Sequence, residues 1–242
     1  MAKAVGGKNL FGYAIGILML ESKFPRIPGD MGNATTWDFP VLYKVVRNAS
    51  PDAVVRKGDR GLLPPFIQGA KELEKEGVRA ITTNCGFLAM FQKEMAAAVN
   101  IPVFTSSLMQ VPLVYAMLKP SQRVGIITIH AKSLTQRHLS SVGADKVPHV
   151  LMGTEGEEEL SRVILDDELE LDVEKSAGEM VKVARKMISD YPEVGAIVLE
   201  CTNMTPYAAA IQAEIGLPVF DIYTLVNMVY QSVVRGEFSG YM

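Results

Sequence analysis

The sequence is short of cysteine and histidine, with two and three in 242 residues. Two cysteines cannot form a disulfide framework, and no His/Cys cluster has the spacing of a zinc site. An excess of one charge sign is also missing, because 24 Lys and Arg stand against 27 Asp and Glu, a net charge of −3. A nucleic-acid-binding surface normally shows as a basic excess. These absences argue against a zinc protein, a disulfide-stapled domain and a nucleic-acid partner.

Long apolar runs and nucleotide motifs are absent as well. The apolar run at residues 10–20 is too short to span a bilayer, and no small-x-small cleavage pattern follows it. The run is instead typical of a parallel strand that is buried on both faces. The glycines near Gly12 and Gly16 do not form GxGxxG, and no Walker sequence is present. We therefore expect a cytoplasmic protein with no membrane partner and no nucleotide, pyridoxal phosphate or metal cofactor.

The chain contains an internal repeat. Residues 78–85, VRAITTNC, match residues 194–201, VGAIVLEC, and both stretches read as apolar strands that end at a cysteine. Nineteen residues after each cysteine, the sequences IPVF and LPVF end at Phe104 and Phe220. Two cysteines in register with a shared PVF are hard to obtain by chance. We interpret the chain as two related halves.

Each half reads as strand, helix, strand, helix, strand. The predicted strands cover residues 13–20, 78–84, 101–105, 122–129, 194–200 and 217–221. The predicted helices cover residues 64–76, 87–99, 107–118, 155–165, 174–189, 205–214 and 223–235, and residues 21–60 are expected to be largely loop. Strands that alternate with helices indicate parallel sheets with right-handed crossovers.

The predicted fold class is therefore α/β, with two pseudo-symmetric parallel-sheet α/β subdomains and the active site in the cleft between them. The N-terminal subdomain comprises residues 1–118 plus 223–242, because the last helix is expected to pack back on the first half. The C-terminal subdomain comprises residues 119–222.

The two cysteines stand where an open parallel sheet binds its ligands, beyond the carboxyl ends of the strands. A helix is expected to start after each of them, and the N–H groups of Gly86 and Thr202 would face the site. Such N–H groups lower the pKa of a thiol and can also hold a substrate carboxylate. If Cys85 and Cys201 face each other, one thiolate can remove a proton from a carbon while the opposite thiol returns one. That chemistry inverts a stereocentre without a cofactor.

The sequences TNCG, around Cys85, and ECTN, around Cys201, on a duplicated α/β chain of this size resemble the aspartate/glutamate racemase superfamily. That superfamily includes amino-acid and hydantoin racemases, maleate cis-trans isomerase and arylmalonate decarboxylase. The resemblance implies that the two cysteines are the catalytic pair of a cofactor-independent racemase. Its substrate would be a small carboxylate such as aspartate or glutamate, or a hydantoin. Homodimers are common in the family, and the apolar final helix allows one.

Several residues near the predicted strand ends are expected to contact the substrate, and for Glu21, Ser22, Thr128, His130 and Ser133 this is what the resemblance implies. Ser106 follows the third predicted strand with its neighbour Ser107, and the two either reach the cleft or cap the next helix. Arg26 would bind a distal carboxylate in a bidentate fork or pair with Asp30 in its own loop. Ser133 follows the first strand of the second half. The expected substrate contacts are Asn84, Gly86, Phe87, Thr202, Asn203, Glu21, Ser22, Arg26, Ser107, Thr128 and His130.

Several other interpretations remain open from the sequence alone. A maleate isomerase would form a covalent cysteine adduct, an arylmalonate decarboxylase needs one cysteine and an apolar pocket, and a small-acid-binding protein would have no turnover. A single free cysteine is most often a small buried apolar residue, and only the matched second one favours catalysis. The acidic residues 155–159 are expected to form the exposed first turn of a helix, and His138 and His149 to lie at the surface.

Overall fold

The computed structural model describes residues 3–58 and 60–242 and contains two four-stranded parallel sheets. The first sheet consists of β1 (Ile15–Leu20), β2 (Val41–Val46), β3 (Ala80–Thr83) and β4 (Val103–Phe104), in the order β2-β1-β3-β4. The second consists of β5 (Arg123–Thr128), β6 (His149–Gly153), β7 (Val194–Leu199) and β8 (Val219–Phe220), in the order β6-β5-β7-β8. We call the parts that carry β1–β4 and β5–β8 the first and second lobe.

The equivalent strand orders explain where a site can form. In each lobe the second strand lies on one side of the first strand, and the third and fourth lie on the other. The direction of the connections therefore switches between β1 and β3 and between β5 and β7. Ligands of open α/β sheets bind at such switch points, beyond the carboxyl ends of the strands. Both cysteines follow strands that border a switch point.

Helices alternate with the strands as the sequence predicts, and the structure adds a helix at Gln136–Ser141 that the prediction lacks. The α-helices of the described residues are α1 (Leu63–Glu76), α2 (Gln92–Ala97), α3 (Val111–Ala116), α4 (Gln136–Ser141), α5 (Leu160–Asp166), α6 (Val173–Asp190), α7 (Ala208–Ile215) and α8 (Ile222–Val233). Short 3-10 turns cover Ala34–Thr36, Arg60–Leu62, Gly86–Phe91, Ser107–Gln110, Ala144–Lys146 and Thr202–Tyr207, and a π-helical turn covers Asp52–Arg56. Gly77 ends α1 in the left-handed region, with φ 86°, which favours glycine.

The central strands are buried on both faces, as near-continuous apolar sequences require. Every residue of β1, β3 and β7 is buried. The prediction of a buried strand within residues 10–20 is confirmed for Ile15–Leu20, whereas Leu10 and Phe11 are exposed. Among residues 3–58 and 60–242, no helix combines the length and the apolar character that crossing a bilayer requires.

Two strands are missing from the sequence-based prediction. β2 lies within the segment predicted to be loop, and β6 lies between α4 and α5. Both are edge strands and most of their residues are only half-buried, so they lack the continuous apolar pattern of the central strands. The prediction that residues 21–60 are largely loop is therefore wrong for Val41–Val46. Residue 59 of that segment, like residues 1 and 2, lies outside the described residues.

The segments after the two cysteines have the same local structure. A 3-10 turn follows each cysteine, and an α-helix starts only after it, at Gln92 in the first lobe and at Ala208 in the second. The prediction of a single helix over residues 87–99 is therefore too simple, and so is that over residues 205–214. The repeated turn supports the interpretation of a duplicated chain.

The acidic residues 155–159 do not form the first turn of a helix, because α5 begins at Leu160. Glu159 is buried, accepts a hydrogen bond from the main-chain N–H of Asp172 at 3.0 Å and pairs with Arg162. The carboxylate at the start of α5 comes instead from Glu179 of α6, which accepts main-chain N–H bonds from residues 158, 159 and 160. A helix N-terminus favours a carboxylate whichever segment supplies it.

The last helix, α8, packs on the first sheet. Ile222, Leu225 and Val226 belong to a core cluster with Ile15 and Ile17 of β1. Asp221 caps the start of α8 by accepting the main-chain N–H of Thr224 at 2.9 Å. The boundaries of the subdomains, at residues 118 and 222, stay a prediction.

Candidate active site

The two cysteines line one cavity. Cys85 follows β3 and Cys201 follows β7, and both are buried, free thiols. The cavity has a volume of about 20 Å³, and both lobes contribute to its walls. Its lining residues are Leu20, Phe24, Pro51, Val55, Asn84, Cys85, Gly86, Phe87, Ile129, Ile164, Glu200, Cys201 and Asn203. The predicted contacts Asn84, Gly86, Phe87 and Asn203 therefore share this cavity with the two cysteines.

The Cys85 thiol receives main-chain donors but is not acidic. The N–H groups of Phe87 and Leu88 lower its pKa, as does the Arg26 guanidinium. Burial and the Glu200 carboxylate outweigh them and raise the pKa of Cys85 to about 12. The expectation of a lowered thiol pKa is therefore wrong. Burial destabilises the thiolate more than the N–H groups of the following turn stabilise it. The donors also belong to Phe87 and Leu88 rather than to Gly86.

The Cys201 thiol is held by an acceptor. Its Sγ donates to Oδ1 of Asn203 at 3.5 Å, and Nδ2 of Asn203 donates to Asp30 at 2.6 Å. Burial raises the pKa of Cys201 well above its usual value, and the Glu200 carboxylate and Asp30 raise it further. The main-chain N–H of Asn203, rather than that of Thr202, lowers it in part. The surroundings of Cys201 therefore favour the protonated thiol, which has a hydrogen-bond acceptor in Asn203.

Glu200 is a site residue that the sequence-based analysis missed. It directly follows the apolar strand β7 and is fully buried, with Oε2 accepting from the Thr128 hydroxyl at 2.7 Å. Its Oε1 has no hydrogen-bond partner among the described residues. Burial raises the pKa of Glu200 to about 7, and Thr128 opposes that shift. The available signal was a charged residue directly before the second cysteine, in a strand that is otherwise apolar.

Gly86 allows the two lobes to approach closely at this point. A Cβ atom at position 86 would overlap with Oε1 and with the main-chain oxygen of Glu200. Only glycine leaves room for the carboxylate beside the turn that follows Cys85. Gly86 therefore has a steric role, and donation of its N–H to a substrate stays a prediction.

Three predicted contacts hold the walls of the cavity together without lining it. The Thr202 hydroxyl donates to the main-chain oxygen of Asn84 at 2.6 Å. The Ser107 hydroxyl donates to the main-chain oxygen of Leu199 at 2.6 Å, and Thr128 holds Glu200. The first two bonds connect the lobes. Ser106 caps its 3-10 turn by accepting the N–H of Leu108, which is the structural alternative.

The predicted contacts after β1 are engaged elsewhere. Glu21 pairs with Arg47 at 2.7 Å and accepts the N–H of Asn48 at 2.8 Å. Arg26 donates to Asp30 at 2.9 Å and to the Ser22 hydroxyl at 2.8 Å. Of the two alternatives for Arg26, the structure contains the ion pair within the loop. None of Glu21, Ser22 and Arg26 is among the described residues that line the cavity.

The histidines differ from expectation. His130 is half-buried after β5, outside the cavity lining, and its Nδ1 has no hydrogen-bond partner among the described residues. His138, expected at the surface, is buried with its ring edge-on to Phe87 at a centroid distance of 5.2 Å. It packs there because the ring fills the space behind Phe87, which lines the cavity. His149 is half-buried, and Ser133 lies on a surface groove beside His138.

Comparison with known protein families shows to which family this chain belongs. The family model described as Asp/Glu/Hydantoin racemase matches residues 48–226, which is most of the chain and includes both cysteines. The chain belongs to the Asp/Glu/hydantoin racemase family. The resemblance based on the two cysteine motifs is thereby confirmed.

Relatives of this family member carry the name of a lyase. A protein of Durusdinium sp. clade D, named dimethylsulfoniopropionate lyase, is 30% identical over 224 residues, which cover 88% of this chain and 72% of that protein. Dimethylsulfoniopropionate lyase 7 of Emiliania huxleyi is 28% identical over 228 residues, which cover 88% of this chain and 65% of that protein. The chain thus spans about two thirds of the length of these relatives.

Solved structures of the family share the fold. Allantoin racemase from Klebsiella pneumoniae aligns with a TM-score of 0.65 at 17% identity, covering 91% of this chain and 87% of that one. Unliganded arylmalonate decarboxylase aligns with a TM-score of 0.61 at 15% identity, covering 93% and 94%. At these identities the likeness extends to the two-lobed architecture and no further.

Proposed function

We propose that this family member removes the proton on the carbon next to a carboxylate, and that its reaction is the β-elimination of dimethyl sulfide from dimethylsulfoniopropionate. The observation that carries the proposal is the chemistry of the cavity, in which a buried thiol lies among apolar walls and no basic side chain is among the described lining residues. The name of the relatives from Durusdinium and Emiliania supplies the substrate class. In this reaction the carbon–sulfur bond breaks and acrylate is the second product.

The walls of the cavity suit a cationic, methyl-covered group better than a second carboxylate. Among the described residues, no Lys, Arg or His lines the cavity, and its one ionisable carboxyl is Glu200. A distal carboxylate, as in aspartate or glutamate, would be desolvated there without a partner. A dimethylsulfonio group would instead contact the rings of Phe24 and Phe87 and the negative potential of Glu200.

The single carboxylate of the substrate has neutral donors available. The main-chain N–H groups at the starts of the 3-10 turns after β3 and β7 are candidate donors, because such N–H groups favour an anion. Asn84 lines the cavity and uses Oδ1 to accept the N–H of Leu20 at 2.6 Å, so its amide nitrogen is the group left to donate. Donors of this kind also stabilise the negative charge that develops when the α-proton leaves.

The surroundings of the thiols favour Cys85 as the base. The N–H groups of Phe87 and Leu88 and the Arg26 guanidinium all favour its thiolate. Cys201 donates to Asn203 and lies beside Asp30, which favours its thiol. The Cys85 thiolate would take the α-proton, the electron pair of the carbon–hydrogen bond would form the double bond, and dimethyl sulfide would leave with the electrons of the carbon–sulfur bond.

A racemase of an amino acid or a hydantoin is the second candidate. The observation that favours it is the presence of two thiols, because an elimination needs only one base. In that reaction Cys85 would remove the α-proton and the protonated Cys201 would return one to the opposite face. The two candidates share the first step and differ in whether a leaving group departs.

One set of assays separates the candidates. The purified protein is incubated with dimethylsulfoniopropionate, and dimethyl sulfide in the headspace and acrylate in solution are measured. Enantiopure aspartate, glutamate and hydantoins are incubated in D₂O, and deuterium at the α-carbon is followed by NMR. The lyase predicts dimethyl sulfide, a loss of about 100-fold or more in Cys85→Ser and a smaller loss in Cys201→Ser. The exposed Ser121→Ala variant is the control.

Other outcomes contradict the proposal. Deuterium exchange without dimethyl sulfide, abolished by either cysteine substitution, would identify a racemase. Calorimetric binding of small acids without dimethyl sulfide or exchange would identify a binding protein and overturn both enzymatic candidates.

A further inference from the structure

The mechanism proposed above leaves one question, because a cysteine base needs to lose its proton inside a closed cavity. Both thiols are buried, and burial together with the Glu200 carboxylate favours the protonated form of each. A thiolate and an ionised Glu200 together would place two negative charges in the same desolvated space. Such a pair is costly in a medium of low dielectric constant.

Glu200 lines the same cavity as both thiols and has a carboxyl oxygen without a partner among the described residues. Its Oε2 is held by the Thr128 hydroxyl at 2.7 Å, and its main chain is held by Ser107, which donates to the carbonyl of Glu200 at 3.3 Å. Its Oε1 lacks a hydrogen-bond partner among the described residues and lies against Gly86, the residue next to Cys85. A fully buried carboxyl oxygen without a partner needs a functional or structural reason.

The titratable and charged groups of the site and its surroundings come from four segments. Cys85 follows β3, Cys201 follows Glu200 itself, and His130 lies just beyond β5, outside the cavity lining. Arg26 and Asp30, from the loop after β1, act on Cys85 and Cys201 respectively. The carboxylate of Glu200 acts electrostatically on both thiols, so the three groups form one interacting unit.

We propose that Glu200 accepts the proton of a cysteine thiol, so that the cavity carries a single negative charge that moves between the carboxylate and sulfur. This inference rests on the proposed function, because it supplies the proton route of a cysteine base. The S–H bond of Cys85 breaks and an O–H bond forms on Glu200. The thiolate then takes the α-proton of the substrate, and Glu200 later releases its proton to water.

The balance of this cycle matches an elimination. Dimethylsulfoniopropionate yields dimethyl sulfide, acrylate and one proton, and that proton leaves from Glu200 while Cys85 ends the cycle as a thiol. Because burial raises the pKa of Glu200 to about 7, the carboxyl can both accept and release a proton at neutral pH.

The test measures the reactivity of Cys85 without any substrate, so it is independent of the lyase or racemase assay. Iodoacetamide alkylation of Cys85 is followed by peptide mass spectrometry between pH 5.5 and pH 9.5, an interval of about two units on each side of neutrality. In the unchanged protein the rate should rise tenfold per pH unit up to about pH 7 and then level off. Above that pH the proton moves only from sulfur to Glu200, and the thiolate fraction no longer depends on pH.

In Glu200→Gln the alkylation rate of Cys85 should no longer level off above about pH 7. Its thiol can ionise only by losing the proton to water, so the rate should keep rising and exceed that of the unchanged protein at least tenfold at pH 9. Glu237→Gln, at an exposed position, should keep the levelling. A profile of the unchanged protein without a break between pH 6 and pH 8, or a break that survives in Glu200→Gln, would overturn the proposal.

Two further variants establish whether the break belongs to Glu200. His130→Gln is a control, because histidines in general titrate near neutral pH. This variant should keep the break, and loss of the break would assign it to His130. Thr128→Val retains the carboxyl but removes the hydroxyl that lowers the pKa of Glu200, so its break should move to higher pH. This variant also covers the case in which Glu200→Gln does not fold, and an unmoved break would overturn the proposal. A protein that shows the break but forms no dimethyl sulfide would retain this inference while losing the proposed substrate.

Discussion

The amide nitrogen of Asn203 in the second lobe donates a 2.6 Å hydrogen bond to the carboxylate of Asp30 in the first lobe. This bond fixes the orientation of the amide, so that Oδ1 faces the Cys201 thiol at 3.5 Å. Asp30 also accepts from Arg26 at 2.9 Å and is nearly inaccessible to solvent. The buried Asp30 carboxylate thus connects the two lobes and forms an ion pair with Arg26. It also orients the Asn203 amide so that the oxygen, rather than the nitrogen, accepts from the Cys201 thiol.

Asp30→Asn should therefore affect both stability and Cys201. The substitution leaves the partly buried Arg26 without its charged partner, and we expect a loss of about 1–3 kcal/mol in the free energy of unfolding. Because Asp30 raises the pKa of Cys201, the variant should also alkylate faster at Cys201 at pH 8. Urea unfolding and peptide mapping measure the two effects. Asp38→Asn, at an exposed position of the same loop, should change neither, and an unaltered Cys201 rate in Asp30→Asn would contradict the assigned contact.

Gly86→Ala tests the close approach of the lobes. A methyl group at this position overlaps with the Glu200 carboxylate and main chain, so either the turn or β7 has to shift. We expect a loss of about 1–3 kcal/mol in the free energy of unfolding together with a loss of activity. Gly178→Ala is the matched control, because a Cβ there meets no atom within 4 Å and lies in the middle of α6. It should stabilise the protein by about 0.5–1 kcal/mol, and equal effects of the two substitutions would contradict the steric role.

The sequence predicts the architecture well because its strongest pattern is the one that burial imposes. Residues 78–85 and 194–201 are apolar since β3 and β7 lie in the centre of their sheets, and each ends in a cysteine at the same topological position. The edge strands β2 and β6 carry no such pattern, because solvent on one side permits Lys44 and His149. Composition alone therefore does not distinguish these strands from loops.

The site is predictable only in part, since its key contacts join residues that are far apart in the chain. The cysteines and Asn84, Gly86, Phe87 and Asn203 come from the two repeated motifs, and the structure brings them to one cavity. The contact between Asp30 and Asn203 spans 173 residues and has no local signal. Glu200 is visible in the sequence, but its burial and its pKa depend on packing against Gly86 and Thr128.

Glu179→Gln should destabilise the start of α5. Oε1 of Glu179 accepts the N–H groups of Glu158 and Glu159 at 3.0 and 2.8 Å, and Oε2 accepts that of Leu160 at 3.0 Å. A glutamine presents an N–H group where one of these acceptors was and removes the charge that favours the helix dipole, so we expect a loss of about 1–3 kcal/mol. Thermal unfolding measures it. The exposed Glu170→Gln should be close to neutral, and a neutral Glu179→Gln would show that the carboxylate is dispensable.

His138 makes the stability of the fold depend on pH. Its Nδ1 accepts the main-chain N–H of Thr135 at 3.0 Å, which requires that nitrogen to be unprotonated, and its Nε2 has no hydrogen-bond partner among the described residues. Burial lowers the pKa of His138 to about 4, and Arg137 contributes to that shift. Between this value and the ordinary histidine pKa of about 6.5, the unfolded chain binds the proton and the folded protein does not.

The contribution of His138 to stability should therefore be present above about pH 6.5 and be lost as the pH falls towards 4. Glu200, with its raised pKa, acts in the opposite direction, because its neutral form is favoured in the fold and its contribution is lost as the pH rises towards 7. The difference between His138→Gln and the unchanged protein isolates the histidine. Urea unfolding at several pH values should show that this difference shrinks by about 2 kcal/mol between pH 7 and pH 4. Ser121→Ala, at an exposed position without a titratable group, is the control with a constant difference. A constant difference for His138→Gln would mean that His138 takes up its proton over the same pH range in the folded and unfolded states.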